Sequence, residues 1–203
     1  MELLVILLVL VLLVALLIPR LGRVREVAKA EACRKNLMLN NLAFRLWCGD
    51  STGAYPAARS TNNGGTMELC VSGVAFVHFR AMSNELADVK LLVCPADRER
   101  VAATSFARNF SDANVSYFVG LDATADDPTS FLSGDRNLAT NSHRLPPGLF
   151  VMSTNSLLTW ASDFHRSRGN IAFADGSVQF LDQAGLLKAV RNLAFATNRL
   201  ATP

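Results

Sequence analysis

The sequence predicts an α+β fold: a long N-terminal helix in two halves, one apolar and one amphipathic, packed on a small antiparallel-sheet head that closes on a hairpin and a helix. Three observations carry this expectation. Leu3 to Ile18 contains no polar side chain, Arg20 to Cys48 shows helical apolar spacing without a proline, and Asp175-Gly176 separates two apolar-rich runs. The chain has 203 residues, half of them hydrophobic, and a formal net charge of +3. Beyond the helix the chain is long enough for one domain with its own core.

Residues 1–19 come first. An apolar surface on every side of a helix predicts burial in lipid rather than against one face of a core, so this part is expected to be transmembrane. The run is short, because sixteen residues span roughly 24 Å against a hydrocarbon layer of roughly 30 Å. Glu2 caps its outer end and Pro19 its inner end. A cleaved signal peptide is disfavoured, since no basic stretch precedes the run and Pro19-Arg20-Leu21-Gly22-Arg23 stands after it in place of a small-x-small site. Arg20, Arg23, Arg25 and Lys29 would by themselves hold the rest of the chain on the cytoplasmic side.

Residues 20–50 continue the helix as its amphipathic part. Met38, Leu42 and Leu46 recur at four-residue spacing beside Leu39, Ala43 and Trp47, which predicts one buried side. The basic excess here (Arg34 and Lys35 in addition to those above, against Glu26 and Glu31) has no interleaved aromatic before Phe44. That pattern suits lipid headgroups and partner helices and excludes the usual nucleic-acid footprint. The helix is expected to stop near Cys48, where Gly49, Asp50, Gly53 and Pro56 accumulate.

Residues 51–203 form the expected head. A polar loop is predicted over 57–69 with its turn at Asn62 to Gly65, then a helix from Val74 to Leu86, a strand from Lys90 to Cys94 stopped by Pro95, and a loop from Asp122 to Pro128. Ile171 to Ala174 and Ser177 to Leu181 predict a hairpin with a two-residue Asp-Gly turn. A helix over Asp182 to Ala196 comes next, with Leu186, Leu187, Val190, Leu193 and Ala194 on one side.

No catalytic constellation is legible. His165 and Asp175 are far apart without an adjacent second His or Cys, so they lack the ligand density of a zinc site, and no Gly-x-Ser-x-Gly motif accompanies them. The expected roles are structural: Asp175 makes a turn and His165 bonds across a loop. His78 and His143 read as ordinary polar residues. Asp122, Asp126, Asp127 and Asp135 are the candidates for calcium, which takes clustered oxygens, although their spacing favours a solvated acidic loop and no firm metal site is assigned. Cys33 and Cys48 read as helix packing residues, while Cys70 and Cys94 are open to a bridge in an oxidising compartment.

Glu-Leu-Leu-Val at residues 2–5, the apolar run, Pro19 seventeen residues after the acid and the charged helix beyond it together resemble the N-terminal helix of type IV pilins and type II secretion pseudopilins. Leu91-Leu92-Val93-Cys94-Pro95-Ala96-Asp97, Ser116-Tyr117-Phe118-Val119-Gly120 and Gly134-Asp135-Arg136-Asn137 resemble the heads of pseudopilin-like proteins of planctomycetes and verrucomicrobia. His165, nine further residues and then Asp175-Gly176, with Gly169 and Asn170 between, match the His-X9-Asp-Gly signature of that group. The resemblance implies a lollipop-shaped, non-enzymatic subunit of a secretion pseudopilus or pilus-like filament. It would be stored as a single-pass inner-membrane protein with a periplasmic head, and assembled with like subunits by inner-membrane machinery. In that family the acid matching Glu2 pairs with the N-terminal amine of a neighbouring subunit. The family's leader and Phe-Thr-Leu-like stretch are not in this sequence, so a start upstream of Met1 is expected, with processing by prepilin peptidase and methylation there. The alternative is a membrane-tethered binding domain on the same anchor that does not polymerise.

Overall fold

The computed structural model describes every residue except Met1, Arg108 and Asp163, and within the first helix the side chains of all but Leu4, Val14 and residues 16–23. That helix, α1 (Glu2–Asp50), is followed by short 3-10 turns and α2 (Phe76–Ala81), then β1 (Tyr117–Gly120), β2 (Phe131–Asp135), β3 (Leu138–Thr140), β4 (His143–Arg144), β5 (Gly148–Ser153), β6 (Thr159–Trp160), β7 (Gly169–Phe173), β8 (Val178–Leu181), α3 (Gln183–Arg191) and β9 (Thr197–Thr202). Six strands make one antiparallel sheet in the order β5-β9-β1-β2-β7-β8, and β4-β3-β6 make a second.

The central strands β1, β2 and β7 are buried along their whole length because the large sheet is covered on both faces. Side-chain alternation sorts them. Tyr117, Val119, Ala172 and Ala201 join the core beneath α1 with Phe44, Trp47 and Phe79. Phe118, Ile171, Phe173 and Leu200 point the other way, into a second core closed by Leu186 and Val190 of α3 and by Leu138 and Trp160 of the small sheet.

The lollipop with a membrane-spanning half is overturned. Among the described residues no helix is long and apolar enough to cross a membrane. The physical reason lies in the brevity of the apolar run, which gives way to Pro19-Arg20 after sixteen residues. Nor is the head a small sheet closed by a helix. After α3 comes β9, which enters the large sheet between β5 and β1 with a register from Gly148↔Thr202 to Ser153↔Thr197 on one side.

Other expectations shift locally. The helix expected over Val74–Leu86 is only α2, and Lys90 to Cys94 is no strand but lies at a 3-10 turn over Val89–Leu92, capped by Asp88 accepting from the Lys90 amide. The polar loop after Pro56 is a succession of 3-10 turns at Pro56–Ala58, Thr61–Asn63 and Met67–Ser72. Residues 122–128 are irregular between β1 and β2, and the helix expected from Asp182 is α3 with Asp182 as its N-cap.

The helix α1 turns a different side inward from the one its leucines suggest. Cys33, Leu37, Asn40, Asn41, Ala43, Phe44 and Trp47 are buried, whereas Met38, Leu39, Leu42 and Leu46 stay 46 to 50% exposed. Polar side chains fasten it. Asn36 Nδ2 donates to the Val93 carbonyl at 3.1 Å, Asn40 Nδ2 to that of Leu91 at 3.1 Å, and Asn41 Nδ2 to that of Phe173 at 2.8 Å. The first two bonds pair carbonyls of the irregular segment at residues 91–93, and the third adds a second donor to the Phe173 carbonyl, which the Gly176 amide also reaches.

The hairpin of β7 and β8 has a three-residue turn, not the expected two. The Phe173 amide donates to the Ser177 carbonyl, the Gly176 amide closes on the Phe173 carbonyl at 3.0 Å, and Gly176 has φ +94°. Asp175 Oδ1 accepts from the Ser177 amide at 2.8 Å. This is a tight turn followed by a residue in the positive-φ region. Gly176→Val should therefore cost on the order of 1–2 kcal/mol or more, because a β-branched residue fits poorly there, and its Cβ would also meet the Arg45 guanidinium. Asp175→Asn should be mild. Denaturant midpoints of the two variants check both expectations.

Candidate metal centre and exposed helical surface

Three residues from motifs singled out in the sequence, Cys94, Asp135 and His165, meet Cys33 at one buried point. Cys33 comes from α1, Cys94 from the segment before Pro95, Asp135 from the end of β2, and His165 from the loop before β7. All four are buried, and one ligand-type atom from each lies within 4.8 Å of those of the other three. Cys33 Sγ donates to Asp135 Oδ1 at 3.0 Å, Cys94 Sγ lies 3.2 Å from His165 Nε2, and His165 Nε2 lies 3.5 Å from Asp135 Oδ2.

The surroundings orient each group. Asp135 Oδ2 accepts from the Asn170 amide at 2.7 Å and from Asn170 Nδ2 at 2.9 Å. The Ala96 amide donates to Cys94 Sγ at 3.4 Å, and the Tyr117 hydroxyl lies 3.4 Å from Cys33 Sγ. His165, Arg166 and Ser167 form a run of three non-glycine residues at positive φ (57°, 52° and 58°), a costly conformation that persists only where neighbours over-determine it. Asn137 supplies that constraint. Its Nδ2 donates to the carbonyls of Ala161, Phe164 and Arg168 and so holds both ends of the loop. Edge-to-face contacts with Phe164 and Phe180 fix the imidazole ring.

Charge and burial set the acid–base state of these groups. Burial pushes the Asp135 carboxyl up and, with the neighbouring Cys94, pushes the Cys33 thiol well up. Burial acts the same way on Cys94, yet hydrogen bonds from Cys33 and His165 prevail and bring it down to about 7. Burial opposes protonation of His165, but its bond to Cys94 and the Asp135 charge raise it.

Beside this point Arg136 makes a bidentate pair with Asp97, Nε to Oδ2 at 2.6 Å and Nη2 to Oδ1 at 2.8 Å, and reaches Glu99 Oε2 at 2.8 Å. Gly134-Asp135-Arg136-Asn137 thus performs separate tasks in sequence. Gly134 lets the Phe118 ring approach to where a Cβ would stand, Asp135 joins the cluster, Arg136 locks the Asp97 segment, and Asn137 holds the His165 loop.

The remaining expected site residues are dispersed. Asp122 pairs with Arg199, Asp127 caps Thr129 and Ser130, and Asp135 lies in the buried cluster, so the calcium candidates do not form a group among the described residues. Asp175 stays in its turn, bonded to the Ser177 amide. Cys70 Sγ faces the carbonyls of Ala57 and Thr66 while Cys94 faces Cys33 and His165, so the two are not brought together, and all four cysteines are free. Cys33 is a member of the cluster rather than simple packing. His78 is buried, bonds Thr66 Oγ1 at 2.7 Å and is brought down to about 4 by burial. Glu2 is exposed in the first turn of α1, and the side chain of Pro19 lies outside the described residues.

A second feature is the surface of α1. Leu3 and Val5 to Leu13 are 49 to 79% exposed, and Val24 and Val27 are 65 and 70% exposed. The half-exposed Met38, Leu39, Leu42 and Leu46 carry apolar surface on past the head. No family model matches the chain, and neither a curated protein nor a solved structure is found to be similar to it.

Proposed function

We propose that this protein is a structural subunit that assembles with like or related chains through α1, forming a pseudopilus- or pilus-like filament with the head outermost. The observation that carries the reading is the exposed apolar surface of α1, at Leu3 and Val5 to Leu13, at Val24 and Val27, and again at Met38, Leu39, Leu42 and Leu46. An apolar area of this extent on one element marks an interaction surface, and its helical form suits packing against the same helix of another copy. The residue pattern around Glu2 and the His165 to Gly176 signature support the same class. A head anchored to α1 by Asn36, Asn40 and Asn41 keeps the two as one body, as a subunit under axial load requires. A purely structural role needs no catalytic group, and none is assigned.

The test places a charge where helices would meet. Leu7→Lys and Leu10→Lys should abolish sedimentable multimers of the full chain, since a lone ammonium buried between apolar helices is strongly disfavoured, while leaving the melting of the head unchanged. Multimers as abundant as those of the parent chain would contradict the proposal.

A further inference from the structure

We infer that Cys33, Cys94, Asp135 and His165 form a closed, four-ligand site for a soft divalent cation, best matched by Zn²⁺, which ties α1 to the head. The site stands apart from any assembly through α1. Two thiols, an imidazole and a carboxylate are each donors that tetrahedral zinc takes, whereas calcium and magnesium take oxygen alone. Zinc bond lengths of about 2.0 to 2.3 Å place tetrahedral ligands about 3.3 to 3.8 Å apart. The observed separations of 3.0, 3.2 and 3.5 Å, all within an outer limit of 4.8 Å, surround a point that one ion reaches by small side-chain adjustments.

The outer contacts are those that a metal site uses. Asn170 orients the carboxylate through two donors, the Ala96 amide and the Tyr117 hydroxyl point at the two sulfurs, and Asn137 fixes the loop that carries the imidazole. A cleft of about 660 Å³ between α1 and the His165 loop, lined by Glu26, Glu31, Arg166 and Asn170, reaches His165 and gives a cation a way in. Binding would displace the thiol protons, and any proton on the imidazole, to solvent and join the two sulfurs, the ring nitrogen and one carboxylate oxygen to the metal. With four protein ligands no position is open to a substrate, so the role is structural.

The full chain purified under reducing conditions should contain about one zinc per chain by elemental analysis. Replacement by Co²⁺ should give thiolate-to-cobalt charge-transfer absorption with tetrahedral ligand-field bands, and X-ray absorption should find two sulfur and two nitrogen or oxygen neighbours. Cys33→Ser and Cys94→Ser should each weaken the charge-transfer band, whereas Cys48→Ser and Cys70→Ser should leave it unchanged. Asn170→Ala should lower cobalt affinity about 10- to 100-fold while keeping the ligand signature. Should the ligand variants fail to fold, the parent chain's cobalt spectrum and absorption edge still decide. Absence of bound zinc and of the charge-transfer band with four free thiols, or a Cys33–Cys94 disulfide in the reduced preparation, would overturn the assignment.

Discussion

Arg136→Met should destabilise the protein by about 3–5 kcal/mol, because it strands a buried carboxylate. The guanidinium and the Asp97 carboxylate are 4 and 1% exposed, and among the described residues Asp97 would keep the Ser116 hydroxyl and the Glu99 amide as donors. The methylene stem and sulfur of methionine refill much of the volume, so the loss reads out charge rather than a cavity. Denaturant titration of the full chain in a dispersing detergent, followed by near-ultraviolet circular dichroism, measures it. Arg136→Met combined with Asp97→Leu should recover most of the deficit, since replacing both partners of a buried pair by apolar groups is often nearly neutral. Losses that simply add would contradict this view of the pair.

Phe44→Ala should cost a similar amount, about 3–5 kcal/mol. The ring is 1% exposed and makes edge-to-face contacts with Tyr55, at 6.2 Å between centroids, and with Phe79, at 5.8 Å. It packs α1 against the head, so its loss should also raise amide exchange in Asn40 and Asn41, whose side chains bond head carbonyls. Leu42→Ala, on the half-exposed side of the same helix, should change stability by less than about 1 kcal/mol. Equal effects at the two positions would mean that α1 is not docked as described.

Part of this fold is legible in the sequence for physical reasons. The Asp-Gly pair between apolar runs locates the β7–β8 hairpin, and the cap-type Asp182 before a helical apolar pattern locates α3. The buried side of α1 escapes the same reading because its inward face mixes Asn40 and Asn41 with Leu37 and Phe44, while several of its leucines look outward. A hydrophobic count cannot register asparagines that are buried to pair carbonyls. Strand β9 is equally hidden, because Thr-Asn-Arg-Leu-Ala-Thr has no apolar alternation and takes its strand state from long-range pairing with β5 and β1.

The candidate site is half visible. Cys94, Asp135 and His165 each lie in a motif that stands out in the sequence, yet the chain separates them by dozens of residues, and only the tertiary fold adds Cys33 from α1. Ligand density counted along the chain cannot register a centre assembled across it. The available signal was a cysteine set within a charged helical stretch, between Glu31 and Arg34.

The central claim is that α1 packs against α1 of other copies. A photoreactive residue placed at Leu10, and separately at Leu42, tests it most directly in the full chain at native concentration. Covalent chain-to-chain products are expected from both positions, and none from a probe at the exposed head residue Val101. Monomer alone after irradiation at Leu10 and Leu42 would contradict it.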